Sequence, residues 1–255
     1  MWIVVVVAAA VAAADRPLVR ADETPRAARY AKITPVAPAR ARNKGGGAYQ
    51  AWVWRDGVVE HYQRFDRGKL VEARQFDGHG MPVATTTYTA GAPTAVTVHA
   101  GDTDAAFDVT AWTEARLPAA APVVRLVLPG PGDPLGLDGV EAALPGGGEL
   151  RVRIVPGPTP VGSNAFREGL ADRCACLLVD RTSAFVDGRF GVRYLAERRD
   201  VYHPAIGELW AVSTGDATLL VSFFVPGVAP EDLGGWARAT AAGRAVMTLA
   251  RWEPR

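Results

Sequence analysis

The sequence predicts a β-rich α+β fold, in which an antiparallel meander is followed by an antiparallel sheet packed by a C-terminal helix. Aromatic residues recur 11, 11 and 12 positions apart from Trp54 to Tyr88, each followed by a glycine within three residues. The 27 glycines and 19 prolines favour turns and short strands over long helices. Near the C-terminus, residues 231–250 place apolar side chains at helical spacing.

The N-terminal segment 1–14 has the character of a secretory signal peptide. Residues 2–14 contain no polar side chain, and Ala12-Ala13-Ala14 offers a small-residue cleavage site before Asp15. A helix of this length would be roughly 20 Å long, whereas a bilayer core is about 30 Å thick. The segment therefore predicts export to the periplasm or the extracellular space and no transmembrane helix. A buried N-terminal strand is the alternative.

Residues 15–47 read as a flexible basic linker. They hold eight basic and three acidic side chains and end in three glycines. The positive charge could hold the protein near an anionic surface polymer, or the segment could be a solvated tether without a partner. The rest of the chain holds 20 basic and 24 acidic side chains. Such a balance disfavours nucleic acid as a partner, because phosphate binding needs a clustered basic face.

Residues 48–118 predict the antiparallel β-meander. A period of 11 or 12 residues holds one strand and one turn. Threonine and β-branched residues fit a pleated, half-exposed surface, and residues that tolerate positive φ stand where the turns are expected. The aromatic-to-glycine steps are Trp54–Gly57, Phe65–Gly68, Phe76–Gly80 and Tyr88–Gly91.

Two of these steps, Phe65–Val71 and Phe76–Pro82, resemble short β-repeat families, namely the YD repeats of bacterial secreted and Rhs-type proteins and the MORN-variant repeats. The resemblance covers residues 54–99. It implies a structural or interaction role. It also suggests, as a third possibility, a delivered effector or its inhibitor.

Residues 122–255 predict an α+β domain, for which the sequence shows no family match. Ser163 can cap a short helix that runs to Arg173. Asp187-Gly188 predicts a two-residue hairpin turn, and a second hairpin is expected at residues 214–216. The C-terminal amphipathic helix, residues 231–250, then packs on the sheet.

Cys174 and Cys176 are the two cysteines of the chain. On a strand their sulfur atoms would lie on the same side. Thiols in an exported protein rarely stay free, yet a bridge between residues two apart is close to the geometric limit. A disulfide, a redox or metal function, and a pair of packed thiols all remain open.

His203 and Glu208, followed by Gly215, resemble the latter part of the first cupin motif, where histidine and glutamate would bind a metal. The family pattern has a histidine at the position of Val201 and another later in the chain, and this sequence has neither. Two ligands are too few for a tight transition-metal site. We therefore predict no metal and no cofactor here, with Glu208 at a sheet edge; the metal pair His203 and Glu208 is the alternative.

Reactive residues are otherwise sparse. The chain contains no Gly-x-Ser-x-Gly turn, and its four histidines are too scattered to predict a triad from spacing. Carboxylates that meet in space could still support hydrolysis. The catalytic alternative therefore uses Glu208, His203, Glu197 and Asp200.

Arginines near the predicted hairpin are the candidate binding residues. They could form a face that binds anions, or they could be solvated strand edges that block edge-to-edge pairing. These residues are Arg189, Arg193, Arg198 and Arg199.

Together these features favour an exported, non-enzymatic binding or structural protein of the cell envelope, acting through a β-sheet surface. Its expected partner is an envelope protein or an anionic surface polymer. The alternative is a hydrolase or metal-dependent enzyme that uses His203 and Glu208.

Overall fold

A computed structural model describes residues 49–55, 58–76, 82–100, 103–117, 123–136, 138–157, 159–187, 189–198, 204–213, 216–228 and 233–253. These segments are mostly antiparallel β-sheet with two helices, and the C-terminal helix packs on a sheet as predicted. The α+β class describes this arrangement only coarsely. The predicted signal peptide 1–14 and linker 15–47 lie outside the described residues.

The first sheet is the predicted meander, with six strands that follow one another in chain order. Each pair is antiparallel, and the turns at Arg67-Gly68 and Ala90-Gly91 have positive φ at both residues, as type I′ hairpin turns require. The prediction extended this region to residue 118, but the sheet ends at Asp108. Its strands are β1 (Tyr49–Arg55), β2 (Val58–Asp66), β3 (Lys69–Phe76), β4 (Pro82–Thr89), β5 (Ala92–Ala100) and β6 (Thr103–Asp108).

A small sheet of three strands follows in the order β16-β8-β7. Its strands are β7 (Thr113–Leu117), β8 (Val123–Leu128) and the C-terminal β16 (Arg251–Glu253).

The largest sheet has seven antiparallel strands in the order β12-β13-β14-β15-β11-β10-β9. The strand order departs from chain order because β11 inserts beside β15, which lies more than 60 residues further along. The strands are β9 (Asp133–Pro134), β10 (Gly139–Leu144), β11 (Gly148–Pro156), β12 (Cys176–Val186), β13 (Arg189–Arg198), β14 (Ala205–Ser213) and β15 (Ala217–Pro226).

Two helices cover opposite faces of the large sheet. Helix α1 (Asn164–Cys174) begins at the predicted cap, where the Ser163 hydroxyl accepts the N–H of Phe166 at 3.2 Å. Helix α2 (Leu233–Leu249) lies on the other face, and Gly243 is required there because a Cβ would come within 2.4 Å of the Phe223 ring. Neither helix in the described ranges is long and apolar enough to cross a membrane.

Helix α2 joins the three sheets. It contacts β4, β5 and β6 of the meander sheet, β8 of the small sheet, and β14 and β15 of the large sheet. On the meander side, Ala241 and Ala245 pack with Val96 and Val98, and on the large-sheet side Val246 packs in the core that contains Phe223. The predicted division of the chain between residues 118 and 122 therefore stays a prediction.

Asp187, in the turn between β12 and β13, forms a hydrogen bond with the C-terminal strand β16. Its Oδ2 accepts the backbone N–H of Trp252 at 2.8 Å. Burial raises the pKa of the Asp187 carboxyl, opposed by the charges of Arg251, Arg189 and Arg125 and by the Trp252 hydrogen bond. With φ at +46°, Asp187 has the positive φ that the predicted turn needs, while Gly188 lies outside the described residues.

Candidate functional site

The face of the large sheet that carries α1 contains a cavity of about 330 Å³. Helix α1 packs against β12 at one edge of the sheet. The cavity lies beside the helix, over β11, β14 and β15. Four arginines line it, and we call it the arginine cavity: Arg151, Arg153, Arg173 and Arg198.

The cavity residues face this side because strand side chains alternate between the two faces. In β11, Leu150, Val152 and Ile154 are buried in the core on the α2 side. Arg151 and Arg153 must therefore lie on the opposite side. The same alternation in β14 and β15 supplies an apolar floor with one hydroxyl: Leu209, Leu220, Ser222 and Phe224.

The four arginines differ in how far their charges are compensated. Arg151 makes ion pairs with Glu141, at 3.2 Å, and with Glu149. The Arg198 guanidinium carbon lies 4.3 Å from the centroid of the Phe224 ring, a cation–π arrangement. Arg153 and Arg173 are exposed and make no ion pair with any residue in the described segments.

No aspartate or glutamate of the described residues lines the cavity. Guanidinium groups match the geometry of carboxylates and phosphates, because each offers several N–H donors in one plane. The arrangement therefore suits an oxyanion.

A disulfide joins Cys174 and Cys176 at the wall of the cavity. The two cysteines do not share a strand, because Cys174 ends α1 and Cys176 begins β12. Between them Ala175 adopts a left-handed conformation, with φ at 50°, and the two Cα atoms are 5.2 Å apart. This separation is ordinary for a disulfide. Of the three alternatives, the structure therefore has the bridge.

The predicted arginine face is divided between different surroundings. Arg198 lines the cavity, but Arg193 donates from Nε to the hydroxyl of Thr182 at 3.0 Å, and its guanidinium lies near the ring of Trp210. Residues 193 and 198 are an odd number of positions apart on β13, so they face opposite sides.

Arg189 lies over the ring of Trp252, with 4.7 Å between the guanidinium carbon and the ring centroid. Arg199 lies outside the described residues. The sequence missed Arg151, Arg153 and Arg173, which come from β11 and α1 rather than from the predicted hairpin.

Glu208 lies in the interior of the large sheet, and the prediction of a sheet-edge position is wrong. Its strand β14 pairs with β13 on one side and β15 on the other, and the side chain is completely buried. Arg244 of α2 donates to Oε1 from Nε at 2.8 Å, and Trp210 donates to Oε2 at 2.8 Å. Both carboxylate oxygens are therefore engaged, and Glu208 ties α2 to the sheet.

Of the other catalytic candidates, the structure describes Glu197 alone. Glu197 lies on β13 opposite Ile206, while Asp200 and His203 lie outside the described residues. Across the ranges that the structure describes, no group of three or more His, Cys, Asp or Glu side chains is placed to hold a metal ion.

A different set of polar residues meets on the meander sheet. His99 Nε2 lies 3.0 Å from the Thr85 hydroxyl, and His99 Nδ1 lies 2.9 Å from Asp104 Oδ1. The order hydroxyl, imidazole, carboxylate is that of a nucleophilic triad. The sequence missed it, although His99 and Asp104 face each other across a single hairpin.

Within the described residues, strand β5 itself offers this polar chain no free backbone donors. Strand β5 pairs with β4 on one side and β6 on the other, so its backbone N–H groups are used in the two ladders. Acyl transfer needs free donors that stabilise the developing oxyanion. His99, Thr85 and Asp104 therefore satisfy one another as cross-strand neighbours.

Comparisons with known proteins leave the chain without a family. No protein-family model matches it, and no curated protein matches it significantly. Among solved structures, a protein from Bacteroides thetaiotaomicron VPI-5482 is similar over 52% of this chain and 46% of that chain, with 15% sequence identity and a TM-score of 0.26. The chain thus spans less than half the length of that protein, and so slight a likeness contributes nothing to the function.

Proposed function

We propose that the protein is an exported, non-enzymatic binding protein of the cell envelope, which acts through its large sheet and takes an anionic ligand in the arginine cavity. One observation carries the proposal. Four guanidinium groups line a single cavity without a lining carboxylate, and Arg153 and Arg173 have no ion pair within the described segments. Such a site gains favourable pairing from an anion that the protein itself does not supply.

The alternative of a hydrolase or metal-dependent enzyme receives no support from Glu208. Its two oxygens are held by Arg244 and Trp210, and it is fully buried. A carboxylate in this position cannot approach a substrate without breaking a buried ion pair, which typically costs several kcal/mol.

Export is supported by the disulfide between Cys174 and Cys176, because disulfides persist in oxidising compartments. We expect the mature chain to begin at Asp15. N-terminal sequencing of protein recovered from the periplasm or the medium of the producing cells checks this. Recovery of the full chain from the cytoplasm alone would contradict export without touching the binding proposal.

Anion binding is tested by thermal unfolding of the full chain in inorganic phosphate, with sodium chloride of equal ionic strength as reference. A ligand that binds only the folded state stabilises it, so a concentration ten times Kd should raise Tm by about 3–5 °C. We expect the double change Arg153→Gln and Arg173→Gln to abolish the rise.

The matched control is Arg67→Gln, which removes one positive charge from the turn between β2 and β3, far along the chain from the cavity. It should leave the phosphate effect unchanged. An equal rise in the double variant would mean that phosphate acts elsewhere, and the proposed site would be rejected.

A further inference from the structure

From the composition of the cavity we infer that its ligand is a small amphipathic oxyanion, with a phosphate or carboxylate head and a compact apolar group. This inference rests on the proposed function, since it specifies the chemistry of the same site. Three features carry it: the uneven compensation of the arginines, the apolar floor and the volume.

The head group belongs beside Arg153 and Arg173. Arg151 already shares its charge with Glu141 and Glu149, so it attracts a further anion less strongly. Arg153 and Arg173 face the cavity from β11 and from the last turn of α1, without an ion pair among the residues that the structure describes. An oxyanion there can accept from two guanidinium groups at once.

The apolar part belongs over the floor. Leu209 and Phe224 are buried, and Leu220 is half-buried, so the floor is continuous with the core beneath α1. Arg198 stacks on the Phe224 ring. Stacking occupies a face of the guanidinium and leaves its in-plane N–H donors for an oxyanion. Charge and apolar surface therefore lie side by side in one cavity.

The volume limits the size of the ligand. About 330 Å³ lies at the lower end of cavities that bind small organic molecules. A bare inorganic anion would leave the half-buried Leu220 of the floor uncovered, and a purely apolar molecule would leave the guanidinium groups of Arg153 and Arg173 without an ion pair. A ligand with one ring system and one charged head would contact both the arginines and the apolar floor.

The experiment is calorimetric titration of the full chain with four probes: 1-naphthyl phosphate, 1-naphthoate, 1-naphthalenemethanol and inorganic phosphate. We expect the two aromatic anions to bind at least tenfold more tightly than either the uncharged alcohol or inorganic phosphate. The phosphate and carboxylate arms show which head group is preferred.

Two variants test separately the part of the site that binds the charged head and the part that binds the apolar group. Arg153→Gln should weaken both aromatic anions about tenfold and leave the alcohol unchanged. Leu220→Asn, at a half-buried position, should weaken the aromatic anions and leave inorganic phosphate unchanged. Circular dichroism confirms that each variant is folded, and Arg67→Gln serves again as the charge-matched control.

The outcomes separate the two proposals. If inorganic phosphate binds as tightly as 1-naphthyl phosphate and depends on Arg153, the amphipathic ligand is excluded and the anion site stands. If the alcohol binds as tightly as the anions, or no probe depends on Arg153 or Arg173, both the ligand class and the proposed function are overturned.

Discussion

On the α2 side of the large sheet, a buried carboxylate, Glu208, is held by Arg244 and Trp210, so that this buried charge has its partners within the protein. On the α1 side of the same sheet, Arg153 and Arg173 have no ion pair within the described segments. The first arrangement fixes a helix. The second leaves guanidinium groups without a protein ion pair around a cavity, which suits a binding site for an external anion.

The meander sheet resembles the α2 side of the large sheet, because its polar groups pair with one another. Thr85, His99 and Asp104 pair with one another, and Glu72 accepts from both Arg64 and Arg74. The comparison therefore leads to a general expectation. Removing an internally paired group should change stability and leave binding intact, whereas removing an unpaired arginine should change binding and leave stability intact.

The largest expected effect is on the α2 side. Arg244→Met leaves the buried Glu208 carboxylate without its cation, and we expect the free energy of unfolding to fall by about 3–5 kcal/mol. Urea unfolding measures this loss. The double variant Glu208→Gln with Arg244→Met should recover much of it, since no buried charge remains. A loss below ~1 kcal/mol in the single variant would show that water reaches Glu208 and would break the comparison.

The next effect concerns the wall of the cavity. Replacing Cys174 and Cys176 together by alanine opens a very short loop, for which the chain-entropy relation gives a loss of about 1–2 kcal/mol. Because Cys174 follows Arg173 directly, we also expect weaker binding of 1-naphthyl phosphate. Calorimetry and urea unfolding of the same variant measure both. Unchanged binding would show that Arg173 is positioned by α1 alone.

The local features of this fold were predictable from the sequence, and the long-range ones were not. The meander follows from glycine turns and alternation between neighbours in the chain, and α1 and α2 follow from a cap and a helical period. The insertion of β11 beside β15 does not follow, because periodicity says nothing about which distant strands pair.

The candidate site shows the same limit. Arg151 and Arg153 join Arg173 and Arg198 only through that insertion, so the sequence found one of the four cavity arginines. Glu208 was expected at a sheet edge, and its burial could not be predicted because its partner Arg244 stands 36 residues away on another element. His99 and Asp104, five residues apart across a hairpin, were the exception, since a register argument could have paired them.

A smaller effect tests the meander sheet. Thr85→Val keeps the shape of the side chain but removes the hydroxyl next to His99, and we expect the free energy of unfolding to fall by about 0.2–1 kcal/mol. Hydrolysis of p-nitrophenyl acetate should proceed at the same rate as with the unmodified chain. Thr87→Val, on the same strand, is the matched control. If the hydrolysis rate fell tenfold in Thr85→Val and not in Thr87→Val, the Thr85 hydroxyl would take part in a reaction. The meander sheet would then no longer be an example of groups that serve stability alone.

The smallest effect is at Asp187, which shares features with both sides of the large sheet. Arginines surround its carboxylate, as Arg244 faces Glu208, yet burial raises its pKa, so its charge is not fully compensated. A raised pKa means that the folded state holds the proton more tightly than the unfolded chain. The stability linked to that proton is present below the ordinary value of 3.8 and is lost as the pH rises through the folded value. At neutral pH the ionised, partly desolvated carboxylate is therefore a cost.

Asp187→Asn removes this cost, and asparagine both tolerates the positive φ and can accept the N–H of Trp252. We expect a higher Tm than that of the unmodified chain at pH 7, with the difference vanishing below pH 3.8, as measured by thermal unfolding across that range. A lower Tm at pH 7 would mean that Arg251, Arg189 and Arg125 outweigh desolvation. Asp187 would then be a fully paired charge like Glu208, and Arg153 and Arg173 would be the unpaired charges of the comparison.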